Sequence, residues 1–253
     1  MLIRVFRSLI LVAAALSARA VADQAPTLPS PVRATGVEAA GITYVALDLA
    51  GYSAARQLPE SRWTDFPLGP GLRVDLDLSR FEVLAPDAEL IVGSKGRQRS
   101  LARPEVLLLR GGVSGAPGSH AYLGLTPTAM NGYILLDGRT YIVSSGPPTG
   151  IQPAAVFDAA AVPAAMLRIR DWLCGSDALP LPERPANGGG TDTTCGVVRI
   201  ALESDYEYSQ VFGGNTTASA AYAVTLFGAV SELYNRDFGT ALEIGYLRTW
   251  ATD

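Results

Sequence analysis

A long stretch rich in proline and glycine divides this 253-residue chain. Seven prolines fall between positions 147 and 185, and three consecutive glycines at 188–190 close the stretch. Proline has no backbone N–H and a fixed φ, so helices and central strands do not run through such a segment. We therefore predict a Pro/Gly-rich linker over 151–194, open to proteolytic processing, with a folded region on each side.

Alternating apolar and polar residues predict that the region before the linker is mainly antiparallel β. Residues 72–79 alternate strictly, which places leucine and valine on one face and charge on the other. In residues 132–143, two β-rich runs flank Asp137-Gly138, a dipeptide that accepts the positive φ angles of a type I′ hairpin turn. Further β-like runs, each bounded by glycine or proline, are 42–49, 106–109 and 121–125. We predict a β-rich domain over 41–150, preceded by an irregular arm over 23–40.

After the linker the pattern changes to strand, helix, strand. Residues 197–202 form a short β-branched run, and Asn215 opens a group of candidate N-caps for a helix from about 218 to 234. The helix has one apolar face, made by Tyr222, Leu226, Ala229, Val230 and Leu233. A helix that joins two strands in this way packs on a largely parallel sheet. Two strands and one helix rarely bury enough surface to fold alone, so we predict a truncated domain over 195–253.

The N-terminus has the order of a secretory signal peptide. Arg4 and Arg7 precede the apolar run 9–16, which is too short to span a bilayer, and an Ala-Val-Ala site follows at 20–22. Cleavage between Ala22 and Asp23 would remove a signal peptide over 1–22. We expect a secreted or periplasmic product with no membrane association after signal removal.

Composition argues against a nucleic-acid partner. The net charge is −4 and no basic stripe is present, so we expect no binding to DNA or RNA. Lys95 is the only lysine, whereas arginine and alanine are abundant, which is typical of a GC-rich bacterial genome.

Three runs after the linker, at 198–208, 226–234 and 242–250, carry a family resemblance. In order and spacing they resemble the start of the metzincin peptidase domain in the adamalysin-like (reprolysin) group and its bacterial relatives. Upstream, residues 111–121 and the hairpin at 131–141 resemble the prodomain of the same group. The resemblance implies an α+β fold: a mainly antiparallel β prodomain-like region, followed by the truncated β-α-β start of a metzincin-like α/β domain.

The resemblance also implies a zinc endopeptidase that acts on proteins or peptides and is held latent by a prodomain packed on its own peptidase domain. That chemistry needs two histidines one helical turn apart, a glutamate beside the first, and a third histidine. This chain has one histidine, His120, which we interpret as a loop or strand residue with no metal role. We expect no catalytic residue and no bound cofactor in this chain, which should be inactive alone, and zinc only in the full-length protein.

A hypothesis of a different class stays open beside the peptidase precursor. The chain could be a complete, non-enzymatic secreted β-rich module that binds or inhibits a partner. An H-E-x-x-H helix encoded beyond Asp253 would favour the precursor, and a stop codon at that place would reject it.

Two cysteines, Cys174 and Cys195, allow two interpretations. In an exported chain two lone cysteines commonly pair, and this pair would close a loop of about 20 residues worth roughly 3 kcal/mol. Cys174 also precedes Gly175, and metzincin prodomains often place a Cys-Gly in this region, where a thiolate occupies the open zinc position. Cys174 is therefore both a disulfide candidate and a possible latency ligand to zinc in the full-length precursor.

Three carboxylates, Glu203, Asp205 and Glu207, alternate at the predicted end of the first strand after the linker. Such spacing occurs in calcium loops, but the flanking glycine and further oxygen ligands are missing here. We interpret the group as a solvated strand terminus.

Overall fold

The computed structural model describes residues 25–39, 41–146, 153–162 and 196–252. Within them, 54% of residues lie in strands and 19% in helices. The strands are β1 (Thr27–Pro29), β2 (Val32–Ala39), β3 (Ile42–Leu47), β4 (Glu60–Gly69), β5 (Leu72–Phe81), β6 (Leu84–Ser94), β7 (Arg97–Ser100), β8 (Leu107–Val113), β9 (His120–Thr126), β10 (Ala129–Leu136), β11 (Arg139–Ser144), β12 (Ala154–Asp158), β13 (Val197–Ser204) and β14 (Ala241–Trp250). The helices are α1 (Leu49–Ala55), α2 (Tyr206–Val211) and α3 (Thr216–Phe238).

Ten strands form one large mixed sheet, in the order β1-β4-β5-β8-β9-β10-β11-β12-β3-β2. β1 is parallel to β4, and the other neighbouring pairs are antiparallel. The sheet curls, so that β4 near one end also lies against β2, β3 and β12 at the other. The curl encloses the larger core, which includes Trp63, Phe66, Leu76, Leu123 and Ile134.

The strongest local predictions in this region are confirmed. The alternating run 72–79 lies in β5, where Leu76 and Leu78 are buried. β10 and β11 form the predicted hairpin, and their turn residues Asp137 and Gly138 have φ angles of 51° and 73°. Both values are positive, as a type I′ turn requires.

Four strands form a smaller sheet, in the order β13-β14-β6-β7. β14 lies in its interior, parallel to β13 on one side and to β6 on the other. β6 and β7 belong to the part of the chain before the predicted linker and form an antiparallel pair. The strands after the linker therefore complete their sheet with strands from before it.

Helix α3 begins and ends at its own capping residues. The Asn215 side chain accepts hydrogen bonds from the backbone N–H groups of Thr217 and Ala218, and Gly239 adopts a left-handed conformation with φ 63°. An Asn N-cap and a left-handed glycine after the last turn are common helix boundaries. The helix starts two residues before and ends four residues after the predicted 218–234.

The apolar face predicted for this helix is not the face that packs. Leu226, Val230 and Leu233 are 46%, 40% and 37% exposed. Most of the buried residues of this helix are small. They include Ala220, Ala223, Gly228 and Ser231, and the larger buried residues include Val224 and Phe227. α3 contacts β14 of the small sheet and β8 and β9 of the large sheet. Small side chains allow α3 to approach both sheets closely. The prediction from the most hydrophobic residues therefore chose the wrong side of the helix.

The predicted fold class is wrong. The chain is mostly β and is dominated by a large, mixed, curled ten-stranded sheet, in place of a mainly antiparallel region followed by a separate β-α-β start. The physical reason is the shared small sheet, because β6 leaves the first region and pairs with β14, and β7 pairs with the other edge of β6. Strands also occupy segments predicted to be irregular: β1 and β2 lie within 23–40, and β12 lies within 151–194, between β11 and β3.

In the described residues, no helix combines the length and the apolar character needed to cross a membrane.

Candidate functional site at the junction of the two sheets

The clearest candidate site is the junction between two parts of the chain. We call the described residues from 25 to 162 the β region and residues 196–252 the C-terminal segment. Helix α3 of the C-terminal segment lies between the two sheets, with one side on β14 and the other on β8 and β9. The side chains at this junction decide how firmly the two parts are held together.

Two glycines set the distance between α3 and the large sheet. A Cβ atom at Gly124 of β9 would lie 2.5 Å from Thr225 Cγ2, and a Cβ atom at Gly228 of α3 would lie 2.6 Å from the Tyr122 hydroxyl oxygen. Both distances are shorter than real van der Waals contacts, so the absence of a side chain permits this approach. The buried Tyr122 hydroxyl donates a hydrogen bond to the Thr225 carbonyl oxygen of the helix. Tyr122 thereby ties β9 to the middle of α3.

A row of polar side chains crosses the large sheet under α3. Arg110, Tyr122 and Tyr133 are direct neighbours on β8, β9 and β10, so their side chains share one face. Above this row, Glu232 of α3 is only 7% exposed, and its Oε2 lies 3.6 Å from Arg110 Nη1. That distance makes an ion pair but not a hydrogen bond. No described residue donates a hydrogen bond to this oxygen.

Burial shifts the pKa values of two side chains at the junction, Glu232 and Tyr133. It raises the pKa of the Glu232 carboxyl above its usual range, and the nearby charges of Arg110, His120 and Arg236 only partly oppose it. Burial, assisted by the Glu232 charge, raises the pKa of Tyr133 to about 12, so this phenol stays protonated at neutral pH. The junction thus holds one carboxyl group in an environment that favours its neutral form.

On the other side of the junction, the outer face of the small sheet adds contacts between the same two parts. Arg199 of β13 donates to both carboxylate oxygens of Asp87 in β6. The Trp250 ring covers Gly93, where a Cβ atom would lie 2.6 Å from the ring. The hydroxyl groups of Ser94 and Thr252 are 3.0 Å apart.

A cavity of about 460 Å³ lies beside the junction. The N-terminal half of α3 forms one wall with Thr217, Ala221 and Tyr222, and residues 126–129 form the opposite wall. Its lining is mainly neutral.

Two of the three carboxylates at the end of β13 accept local hydrogen bonds. Asp205 caps α2, because its side chain accepts from the Tyr208 backbone N–H. Glu203 accepts from the Trp250 indole N–H at 2.7 Å and lies 3.4 Å from Arg248 Nη1. Glu207 is exposed in the first turn of α2. Asp205 and Glu203 therefore hold the end of β13 and the start of α2 in place, and Glu207 faces solvent.

The residues that the structure describes do not fit a catalytic zinc ion. His120 lies half-buried at the start of β9, opposite Leu135, and near Glu232 and Asp237 of α3. In the part of the chain that the structure describes, no three side chains of His, Cys, Asp or Glu come together as a metal site. A single imidazole cannot supply the three protein ligands of an open zinc site. The other predicted site residues, Ala22, Asp23, Cys174 and Cys195, lie outside the described residues.

Arg110, Tyr122 and Glu232 were not among the residues predicted from sequence. A local signal for Glu232 existed, because Thr225, Gly228 and Glu232 recur at helical spacing and mark a second, narrower side of α3. Nothing local to residues 110 and 122 indicates that they face a helix from the other end of the chain.

Known proteins show only a weak similarity to this chain. No protein-family model and no curated protein matches the chain. Among solved structures, the chain is similar to metalloproteinase-II from Bacteroides fragilis, with a TM-score of 0.35 and 15% sequence identity. The match covers 81% of this chain and 56% of that protein, so the chain spans little more than half of its length. A superposition this loose assigns neither a family nor an activity.

Proposed function

We propose that this chain is the N-terminal part of the precursor of a secreted zinc-dependent metalloendopeptidase, with the β region in the role of the prodomain. The proposal starts from the resemblance of residues 198–208, 226–234 and 242–250 to adamalysin-like peptidases. Protein or peptide hydrolysis would belong to the full-length protein, and this chain alone would be inactive.

The observation that best supports the proposal is how the C-terminal segment is held. β14 and α3, which carry two of the three resembling runs, are covered by β6, β8 and β9 of the β region. A prodomain that keeps a peptidase latent needs such an intimate contact with it.

Export is a separate part of the proposal. It rests on the charged, apolar and small-residue order of the first 22 residues. N-terminal sequencing of the product from the medium or periplasm should begin at Asp23. A product that keeps Met1 and remains in the cytoplasm would contradict this part.

Zinc and peptidase activity test the central claim. The reading frame should continue past Asp253 and encode an H-E-x-x-H helix. The longer protein made from it should retain about one zinc per chain after dialysis and should hydrolyse casein once the β region is removed. Replacement of the first histidine of that motif by alanine is the matched control and should abolish hydrolysis. The chain over 23–253 should show neither zinc retention nor hydrolysis. A stop codon in place of the motif, or casein hydrolysis by the 23–253 chain itself, would overturn the proposal.

The alternative, a non-enzymatic secreted β-rich binding or inhibitory module, has one observation in its favour. The described residues form a mostly β structure with a cavity of about 460 Å³ beside α3. The same reading-frame test separates the two hypotheses, because only the precursor requires the downstream histidines.

A further inference from the structure

Strand β6 joins the two parts of the chain through its backbone. Residues 246–250 of β14 pair one to one with residues 89–93 of β6. Two more backbone hydrogen bonds extend the contact, from Ile244 N to Val83 O at 2.6 Å and from Ala251 N to Gly93 O at 2.9 Å. A parallel pair of this kind cannot be a hairpin, so β6 is a strand added to β14 from a distant part of the chain.

The smaller core also draws on both parts. The β region supplies Val83, Leu84, Leu90, Val92, Leu108 and Tyr122. The C-terminal segment supplies Ala220, Val224, Phe227, Leu242, Ile244 and Leu247. Each of these side chains is at least nine-tenths buried, so separation of the two parts would expose apolar surface on both sides.

We propose that the C-terminal segment stays bound to the β region as a separate polypeptide when the chain between residues 162 and 196 is cut. The binding surface is formed by β14 and α3, and its partner is the β6, β8 and β9 surface of this same chain. Proteolysis at the linker is then not a release step. Release requires a second event that separates β14 from β6.

The inference goes beyond the proposed function, because it holds whether or not the longer protein is a peptidase. If the chain is a peptidase precursor, a cut linker alone leaves the prodomain in place.

The test uses the 23–253 chain with a recognition site for a sequence-specific protease inserted between Ala165 and Met166. This position precedes Cys174, so a Cys174–Cys195 disulfide cannot hold the two fragments together. After complete cleavage, size-exclusion chromatography at about 1 µM should give one peak at the uncut position, with both fragments in it. Amide hydrogen exchange should show residues 244–250 equally protected before and after the cut. Two separate peaks, or loss of this protection on cutting, would overturn the inference.

A substitution tests whether β6 is the strand that holds β14. In Gly93→Val, the new side chain would meet the Trp250 ring, which covers this glycine at 2.6 Å from a Cβ position. The dissociation constant of the cut protein should rise at least about tenfold, which corresponds to about 1.4 kcal/mol. Gly196→Val is the matched control, because a Cβ atom there meets nothing within 4 Å. If uncut Gly93→Val fails to fold, Gly93→Ala replaces it. Equal dissociation constants for the position-93 and position-196 variants would reject the role of β6.

Discussion

Glu232→Gln should raise the free energy of unfolding at pH 8 by about 1 kcal/mol. Glu232 is 7% exposed, and no described residue donates a hydrogen bond to its Oε2. A buried polar group without a partner costs about 1–3 kcal/mol, whereas a partly exposed ion pair contributes about 0–1 kcal/mol. Arg110 at 3.6 Å has a side chain that is 40% exposed, so it stays hydrated after the substitution. The cost of burying the charged carboxylate therefore exceeds the gain from its ion pair with Arg110, so a neutral side chain of the same size should be more stable.

The effect should disappear in acid. Burial raises the pKa of Glu232 in the folded protein, so the folded state binds this proton more tightly than the unfolded chain. The destabilisation by the ionised carboxylate is therefore absent below the ordinary glutamate pKa, grows as the pH rises above that value, and is complete above the raised folded-state pKa. The wild-type and Glu232→Gln proteins should be equally stable near pH 4 and should differ fully at pH 8.

Urea unfolding at pH 4 and pH 8 measures this difference. A change of about 1 kcal/mol also corresponds to about 2–4 °C in Tm for a protein of this size. Glu60→Gln is the control, since Glu60 is exposed at the start of β4 and its neutralisation should change little at either pH. A Glu232→Gln protein that is less stable than wild type at pH 8 would refute the reasoning, because the Arg110 pair would then outweigh the cost of burial. An equal gain at pH 4 and pH 8 would refute it too.

Three further outcomes are expected. Gly124→Val should lower the free energy of unfolding by about 1–3 kcal/mol, because the valine side chain would overlap Thr225. Urea unfolding measures this loss against the Gly196→Val control, and equal stability of the two variants would contradict the close packing of α3 on β9. Tyr122→Phe should cost about 1–2 kcal/mol in the same assay through loss of the hydrogen bond to the Thr225 carbonyl, and no loss would mean that this bond adds nothing to stability. If Cys174 and Cys195 are bridged, protein recovered from an oxidising compartment should show no free thiol on titration under denaturing, non-reducing conditions. Two free thiols would reject the bridge and leave Cys174 available as a zinc ligand.

Local patterns were sufficient for three of the elements. The alternation in residues 72–79 predicts β5, and Asp137-Gly138 predicts the β10–β11 hairpin, because strand period and turn chemistry are properties of neighbouring residues. The Asn215 cap predicts the start of α3 for the same reason.

The arrangement of these elements could not be predicted in this way. β14 pairs with β6 from the far side of the linker, and no period or turn residue encodes a parallel partner so distant in sequence. The packing side of α3 was hidden as well, because contact with two sheets favours glycine, alanine and serine over leucine. The candidate junction depends on the β6–β14 pairing and on the packing side of α3. Sequence patterns therefore predicted the presence of the helix but not the junction that it forms.

The β6–β14 pairing has a consequence for the time course of folding. Ser94 and Thr252, which close one end of this contact, are 158 positions apart. Contacts between such distant residues form slowly, because a long loop must close before they contribute any stability. A chain that emerges N-terminus first presents β6 long before β14 exists, and the free edge of β6 is exposed during that interval.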